Sequence, residues 1–376
     1  MKKIMVLGAG LVGRAMAIDL CRDHEVTSVD IHADALARLA AEHPIRTVTA
    51  DLGRKEAITS LAAGQDLVIG ALPGFMGYRA LEAVISAGVN CIDISFFPED
   101  PFGLDGMAKA GGVTVVTDCG VAPGMSNLII GHHQRSMRID SFECLVGGLP
   151  KKRTWPFEYK APFSPLDVIE EYLRPARLME NGRIVTKPAL SEPELVELEP
   201  VGTLEAFNTD GLRTLLTTAN IPDMREKTLR YPGHCQLMRI LREAGFFSDE
   251  PIPVGGAMVS PREVTSRLLL PQWQLGEEEI EFTVMRITLE GEEGGQRLRH
   301  IYRLYDTYDP ATRTSSMART TGYTATAAAR LVLEGRFVRK GISPPEYLGA
   351  SGECFERIMA DLGRHSVRYT HEETVL

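Results

Sequence analysis

Apolar and polar positions alternate in short runs over the first 118 residues, switching between a strand-like and a helix-like period. Lys2-Lys3-Ile4-Met5-Val6-Leu7 is a strand-like run, and 26–29, 46–48, 66–70, 90–93 and 113–118 repeat the signature. Helix-spaced segments separate them: one carrying Leu11, Ala15, Ile18 and Leu20, then 33–42, 55–63, 78–87 and 107–111. Repeated strand–helix units predict an α/β fold, a doubly wound parallel sheet of the Rossmann type. Ligands of such sheets bind outside the carboxyl ends of the strands, where Pro73, Asp93 and Asp118 fall.

The pattern changes after Pro123, with longer gaps, more charge and strand-like runs at 141–147, 279–289 and 298–305. The last two read as an antiparallel pair across the polar turn 290–295, which predicts an α+β domain whose sheet can serve a dimer interface. From Thr320-Thr321-Gly322-Tyr323 the chain turns Ala-rich and helical through Leu333, a return to the first domain. The expected organisation is residues 1–122 and 323–376 in one domain, with 123–322 inserted as the other.

Gly8-Ala9-Gly10-Leu11-Val12-Gly13 follows the first strand directly, and Asp30 closes the second. Gly8 permits the tight turn, Gly10 admits backbone close to a pyrophosphate, and Gly13 lets helix and strand pack closely. A carboxylate at Asp30 accepts hydrogen bonds from both ribose hydroxyls and repels a 2′-phosphate, so the expected cofactor is NAD rather than NADP; His32 nearby softens that repulsion. Ala9, Leu11, Val12, Ile31, Asp51, Leu52, Leu72 and Pro73 complete the expected nucleotide contacts along the same edge.

At 376 residues the chain has material for two cores. A formal charge of −9 argues against nucleic acid or an anionic membrane as a partner, and no run approaches the length of a membrane span. The N-terminal apolar run is too short for a signal peptide. Six scattered cysteines without metal-like spacing read as reduced thiols of a cytoplasmic protein, with no metal site expected.

Gly147-Gly148-Leu149-Pro150, Tyr159-Lys160 and Thr228-Leu229-Arg230-Tyr231-Pro232-Gly233-His234, with the N-terminal glycines, resemble the saccharopine dehydrogenase family. Ala122-Pro123-Gly124-Met125-Ser126-Asn127, the stretch from Glu205 to Arg213, and Val259-Ser260-Pro261-Arg262-Glu263 extend the resemblance over nearly the whole chain. It implies a Rossmann domain interrupted by a substrate and dimerisation domain, a homodimer or higher homo-oligomer, and NAD(P)-linked chemistry at a carbon–nitrogen bond. Saccharopine-forming members carry Asp and Cys where this chain has Ala122 and Val146. That departure points to a primary amine, as in the lysine 6-dehydrogenase branch: NAD-dependent loss of the ε-amine of L-lysine, giving the 6-semialdehyde, which cyclises, and ammonia. A secondary amine such as saccharopine or a carboxy-polyamine, and a catalytically silent NAD-binding regulator, are the alternatives.

Removing a primary amine requires a group that deprotonates the ammonium and later activates water. Asp93 and Asp118 are candidates because each falls at the ligand-binding edge; turn or cap acids are the competing reading. His234, presented by a Pro-Gly turn, is a third, since imidazole titrates near neutrality. For an α-carboxylate clamp Arg230 comes first, ahead of Arg213 and Lys160, with Thr209 and Asn127 as polar complements. Trp155, Phe157, Tyr159 and Phe163 either line an apolar channel or pack beneath a loop.

Overall fold

The computed structural model describes residues 1–276 and 279–376. The chain divides into two compact units, residues 1–137 with 317–368 and residues 138–316 with 369–376. The first boundary lies beyond the expected one at Pro123, so the helix opened by the Pro123-Gly124 turn belongs to the first unit.

In the first unit β1 (Lys3–Leu7), α1 (Leu11–Leu20), β2 (Glu25–Asp30), α2 (Ala33–Glu42), β3 (Arg46–Thr49), α3 (Lys55–Ala62), β4 (Leu67–Gly70), α4 (Gly74–Ser86), β5 (Asn90–Asp93), α5 (Asp105–Ala110), β6 (Thr114–Val116) and α6 (Met125–His133) alternate as expected. The sheet runs β3-β2-β1-β4-β5-β6, with the short strand Gly341–Ile342 beside β6, and its paired strands are all parallel. Crossing from β3 back to β4 reverses the winding at β1, which makes the carboxyl ends of β1 and β4 the switch point. Ile4, Met5, Val6 and Leu7 are buried on both faces of β1, as a parallel strand covered by helices requires. β6 ends earlier than its sequence run suggests, leaving Asp118 two residues beyond it.

The second unit contains β7 (Met137–Pro150), α7 (Pro165–Leu173), β8 (Ala176–Glu180), β9 (Arg183–Lys187), β10 (Glu194–Leu198), β11 (Gly202–Asn208), α8 (Leu215–Thr218), β12 (Asp223–Arg230), α9 (His234–Glu243), β13 (Ile252–Val254), β14 (Ala257–Val259), α10 (Pro261–Trp273), β15 (Glu281–Glu293) and β16 (Gln296–Thr307). Its main sheet runs β10-β11-β12-β7-β15-β16 and ends on the strand Tyr369–Val375, with β8 attached to β12 and β9 to β8. The β7–β12 pair is parallel; β10–β11, β11–β12 and β15–β16 are antiparallel.

Two expectations change here. The β15–β16 hairpin is longer than 290–295 allowed: pairing continues to Glu293↔Gln296, and Gly294 and Gly295 alone make the turn, with φ of 58° and 82°. The C-terminal residues also do not all return to the first unit, because Tyr369–Val375 pairs antiparallel with β16. Among the described residues no helix is long and apolar enough to cross a membrane.

Candidate functional site

The glycine loop of the first unit has the three roles its spacing requires. Gly8 adopts φ 103°, and a Cβ there would sit 2.5 Å from the Ala71 carbonyl oxygen. A Cβ on Gly13 would lie 2.1 Å from the Gly8 carbonyl oxygen, so α1 packs directly on the turn. Around Gly10, in contrast, nothing among the described residues lies within 4 Å of an added Cβ. Gly10 is the N-cap of α1 and makes no side-chain cap hydrogen bond. Uncapped amides and the helix dipole suit a pyrophosphate.

Asp30 closes the cradle from β2. Its Oδ2 accepts a hydrogen bond from the Ala9 amide at 2.6 Å, and Oδ1 accepts from the His32 amide at 2.9 Å. Both bonds fix the carboxylate between the glycine loop and the turn after β2, with lone pairs left for hydroxyl donors. Ile31 and Leu11 are exposed beside it, and Val12 is half-buried. Asp51 accepts from the Gly53 amide at 2.9 Å, Leu52 and Leu72 pack into the core, and Pro73 caps α4. These residues fit a dinucleotide held by Gly8 to Gly13 and Asp30.

Further along the same edge, Asp93 is 1% exposed and accepts from the Ser95 amide at 2.8 Å and the Ser95 hydroxyl at 3.2 Å. Gly70, at the end of β4, makes room for it, since a Cβ there would lie 2.0 Å from Asp93 Oδ2. Asp118 is also buried and adopts φ 54°, a conformation Asp tolerates better than most residues. The Cys119 amide donates to the Asp93 carbonyl at 3.0 Å. Burial pushes the Cys119 thiol up, and the Asp118 and Asp93 carboxylates push it further. Asn127 serves α6 instead: its Oδ1 accepts from the Gly124 amide at 3.2 Å and its Nδ2 donates to Glu346 at 3.0 Å.

In the second unit, Arg230 occupies a buried polar cluster at the end of β12. Its Nη2 meets Glu171 Oε2 at 2.8 Å, its Nε donates to the Tyr172 hydroxyl at 3.3 Å, and its Nη1 donates to the Leu229 carbonyl at 2.9 Å. The guanidinium carbon lies 4.4 Å from the centroid of the Tyr159 ring. Burial works against the Arg230 charge, but Tyr159, Tyr172 and Glu171 outweigh it and hold the group protonated. Glu171 is pushed up by burial despite the opposing pull of Arg230. Arg230 thus enters the fold already paired with a carboxylate.

His234 departs from its sequence-based reading. Nδ1 lies 2.9 Å from the Phe157 carbonyl and Nε2 lies 2.9 Å from the Tyr172 hydroxyl. Because a carbonyl only accepts, Nδ1 carries the proton and Nε2 accepts from Tyr172. Burial, reinforced by the Arg230 charge, lowers its pKa to about 3. A neutral imidazole with both nitrogens engaged does not titrate near neutrality, which removes the reason for choosing it as an acid–base group.

Lys160 donates to the Gln274 carbonyl at 3.2 Å and lies 3.9 Å from Glu279. The Thr209 and Thr228 hydroxyls, both buried, share a hydrogen bond at 3.0 Å. Arg213 is buried with φ 52°. Phe157 and Tyr159 pack edge-on against Trp273, each at 5.7 Å between ring centroids, whereas Trp155 is 85% exposed. Glu171, Tyr172, Arg174 and Trp273 were not singled out from sequence. A signal existed for part of this set: Val168, Ile169 and Tyr172 fall on one face of α7 and are fully buried.

A parallel sheet in this strand order, with the glycine loop on β1 and an acid on β2, defines a dinucleotide-binding domain, here joined in one chain to a mixed-sheet unit. Residues 4–116 match the family model described as the saccharopine dehydrogenase NADP binding domain, and residues 120–367 match the saccharopine dehydrogenase C-terminal domain. The chain belongs to the saccharopine dehydrogenase family. It is similar to the mitochondrial alpha-aminoadipic semialdehyde synthase of Bos taurus, 24% identical over 100% of this chain and 48% of that protein. It is also similar to a saccharopine dehydrogenase [NADP(+), L-glutamate-forming] of Pyricularia oryzae, 24% identical over 79% of this chain and 69% of the relative. The chain spans about half the length of the Bos taurus and Mus musculus synthases it matches. In fold it resembles the apo saccharopine dehydrogenase (L-Glu forming) of Saccharomyces cerevisiae, with a TM-score of 0.79, 19% identity and full coverage of both chains.

Proposed function

We propose that the chain is an NAD-dependent amino-acid dehydrogenase of the lysine 6-dehydrogenase kind, removing the ε-amine of L-lysine. The observation that supports NAD is the Asp30 carboxylate, fixed by the Ala9 and His32 amides where a 2′-phosphate would otherwise be received. The family model's description names NADP, and the Asp30 geometry is the reason for reading this member differently. Ala122 and Val146, in place of the acid and thiol of saccharopine-forming enzymes, support a primary amine.

Gly8 to Gly13 and the first amides of α1 would hold the pyrophosphate, and Asp30 the adenosine ribose. The bound nicotinamide supplies the hydride acceptor. Asp93 and Asp118 are the groups proposed to take the proton from the substrate ammonium and, after hydride loss from the ε-carbon, to activate the water that attacks the imine. Ammonia leaves, and the resulting 6-semialdehyde closes on its own α-amine. A second reading, oxidation of a secondary amine such as saccharopine, is favoured by the names of the relatives above. Parallel incubations with L-lysine and with saccharopine, each with NAD or NADP, measuring reduced cofactor and ammonia together, separate the two: equal yields from lysine support deamination, and NAD(P)H formed only from saccharopine supports the second.

A further inference from the structure

Two histidines meet on one face of the main sheet of the second unit. His300 lies in β16 and His371 in the strand Tyr369–Val375, and antiparallel pairing sets His300 opposite Glu373 and Tyr302 opposite His371. Residues directly opposite share a face, as do residues two apart on one strand, so His300, His371 and Glu373 project to the same side. His300 Nδ1 lies 3.0 Å from His371 Nε2, and Glu373 Oε2 lies 3.9 Å from the same Nδ1. The two histidines stand 71 residues apart, so no ligand spacing in the sequence marks them.

Neighbouring side chains hold both rings. His300 is 1% exposed, and its Nε2 faces Glu293 Oε2 of β15 at 3.8 Å. The His371 ring stacks on Tyr302, with centroids 4.2 Å and planes 11° apart, while His371 and Glu373 themselves are exposed to solvent. Between two imidazole nitrogens in hydrogen-bond contact one donates a proton and the other accepts it, and a divalent ion can take the place of that proton. Two nitrogens bound tetrahedrally to zinc at about 2.0–2.1 Å stand roughly 3.3 Å apart, close to the separation found here. Ligation through His300 Nδ1 turns its Nε2–H toward the Glu293 carboxylate, the outer contact that orients a metal-bound histidine. Glu373 reaches the ion by a small side-chain rotation and brings a negative charge.

We propose that His300 Nδ1, His371 Nε2 and Glu373 form a site for a divalent transition-metal ion of the zinc class, with a fourth position open to water. The ion would tie the edge strand Tyr369–Val375 to β16, and the reaction proposed above does not use it. Calorimetric titration of the full chain, freed of metal with EDTA, with zinc chloride should show one ion bound per chain with a Kd below about 100 μM. His371→Ala should raise that Kd about tenfold or more, and Glu373→Gln should raise it by less, because histidine nitrogen is the stronger ligand. Zinc should also raise the melting temperature of the parent but not that of His371→Ala, as expected of an ion that binds the folded chain alone. Because His371 is exposed, the metal-free variant should melt with the metal-free parent, showing that a ligand and not the fold has been lost. No binding by the parent at about 100 μM zinc, or equal affinity in the parent and His371→Ala, would overturn the inference.

Discussion

The Asp30 carboxylate accepts a 2.6 Å hydrogen bond from the backbone amide of Ala9, locking the acid at the end of β2 onto the glycine loop. The bond has a functional and a structural consequence. In the proposed function it holds the carboxylate where the ribose 2′ position would be received, and it stiffens the turn that would receive the pyrophosphate. Asp30→Ser should weaken NADH binding about tenfold and raise the NADPH-to-NADH affinity ratio by at least as much, read by fluorescence titration. An unmodified protein that binds NADPH as tightly as NADH would contradict the role assigned to this acid.

Gly10 and Gly13 separate ligand approach from packing. Gly10→Ala meets nothing within 4 Å among the described residues beyond its chain neighbours, so its melting temperature should stay close to that of the parent while its dinucleotide affinity falls about tenfold or more. Gly13→Ala drives a methyl against the Gly8 carbonyl, and overpacking of this kind costs about 1–3 kcal/mol. Paired denaturation and NADH titrations of both variants check the distinction.

Glu171, 19% exposed, pairs with the buried Arg230, and losing one member strands the other. Glu171→Gln should destabilise the protein by about 3–5 kcal/mol in urea unfolding, because the guanidinium then loses its counter-charge in a setting closed to water. Replacing both residues with apolar ones of similar volume should cost much less. A single substitution that leaves stability unchanged would mean that Tyr159 and Tyr172 alone compensate Arg230.

Much of this was legible in the sequence, and the misses have physical causes. The strand–helix alternation up to Asp118 and the glycine spacing of 8, 10 and 13 carry local signals, and the structure follows them. The hairpin was misjudged because Glu290, Glu292 and Glu293 look like turn residues, yet a Cβ on the intervening Gly291 would lie 2.1 Å from the Arg138 carbonyl, showing strand-to-strand approach. Tyr369–Val375 was missed because it is a mostly exposed edge strand with no apolar alternation. Sequence cannot show that Glu171 and Tyr172, about 60 residues before Arg230 and His234, pair with them.

His234 makes stability depend on pH. Its folded pKa lies near 3, below the ordinary value of 6.5, so between the two the unfolded chain binds a proton that the folded one refuses. Its contribution is fully present above pH 6.5 and falls by about 1.4 kcal/mol per unit as the pH drops toward 3. Urea unfolding at pH 7, 6 and 5 should show this slope, and His234→Gln should flatten it by that amount. Equal slopes in parent and variant would mean that the imidazole charges freely in the folded state.

The proposed reaction is tested most directly by mixing the protein with L-lysine and NAD at alkaline pH and measuring absorbance at about 340 nm alongside free ammonia. Oxidative deamination releases one ammonia for each NADH, and Asp93→Asn and Asp118→Asn variants that still bind NADH should lower the rate by about 10²-fold or more if both carboxylates act as proposed. NADPH oxidation that requires both an amino-acid semialdehyde and glutamate, with no ammonia released, would contradict the primary-amine reading.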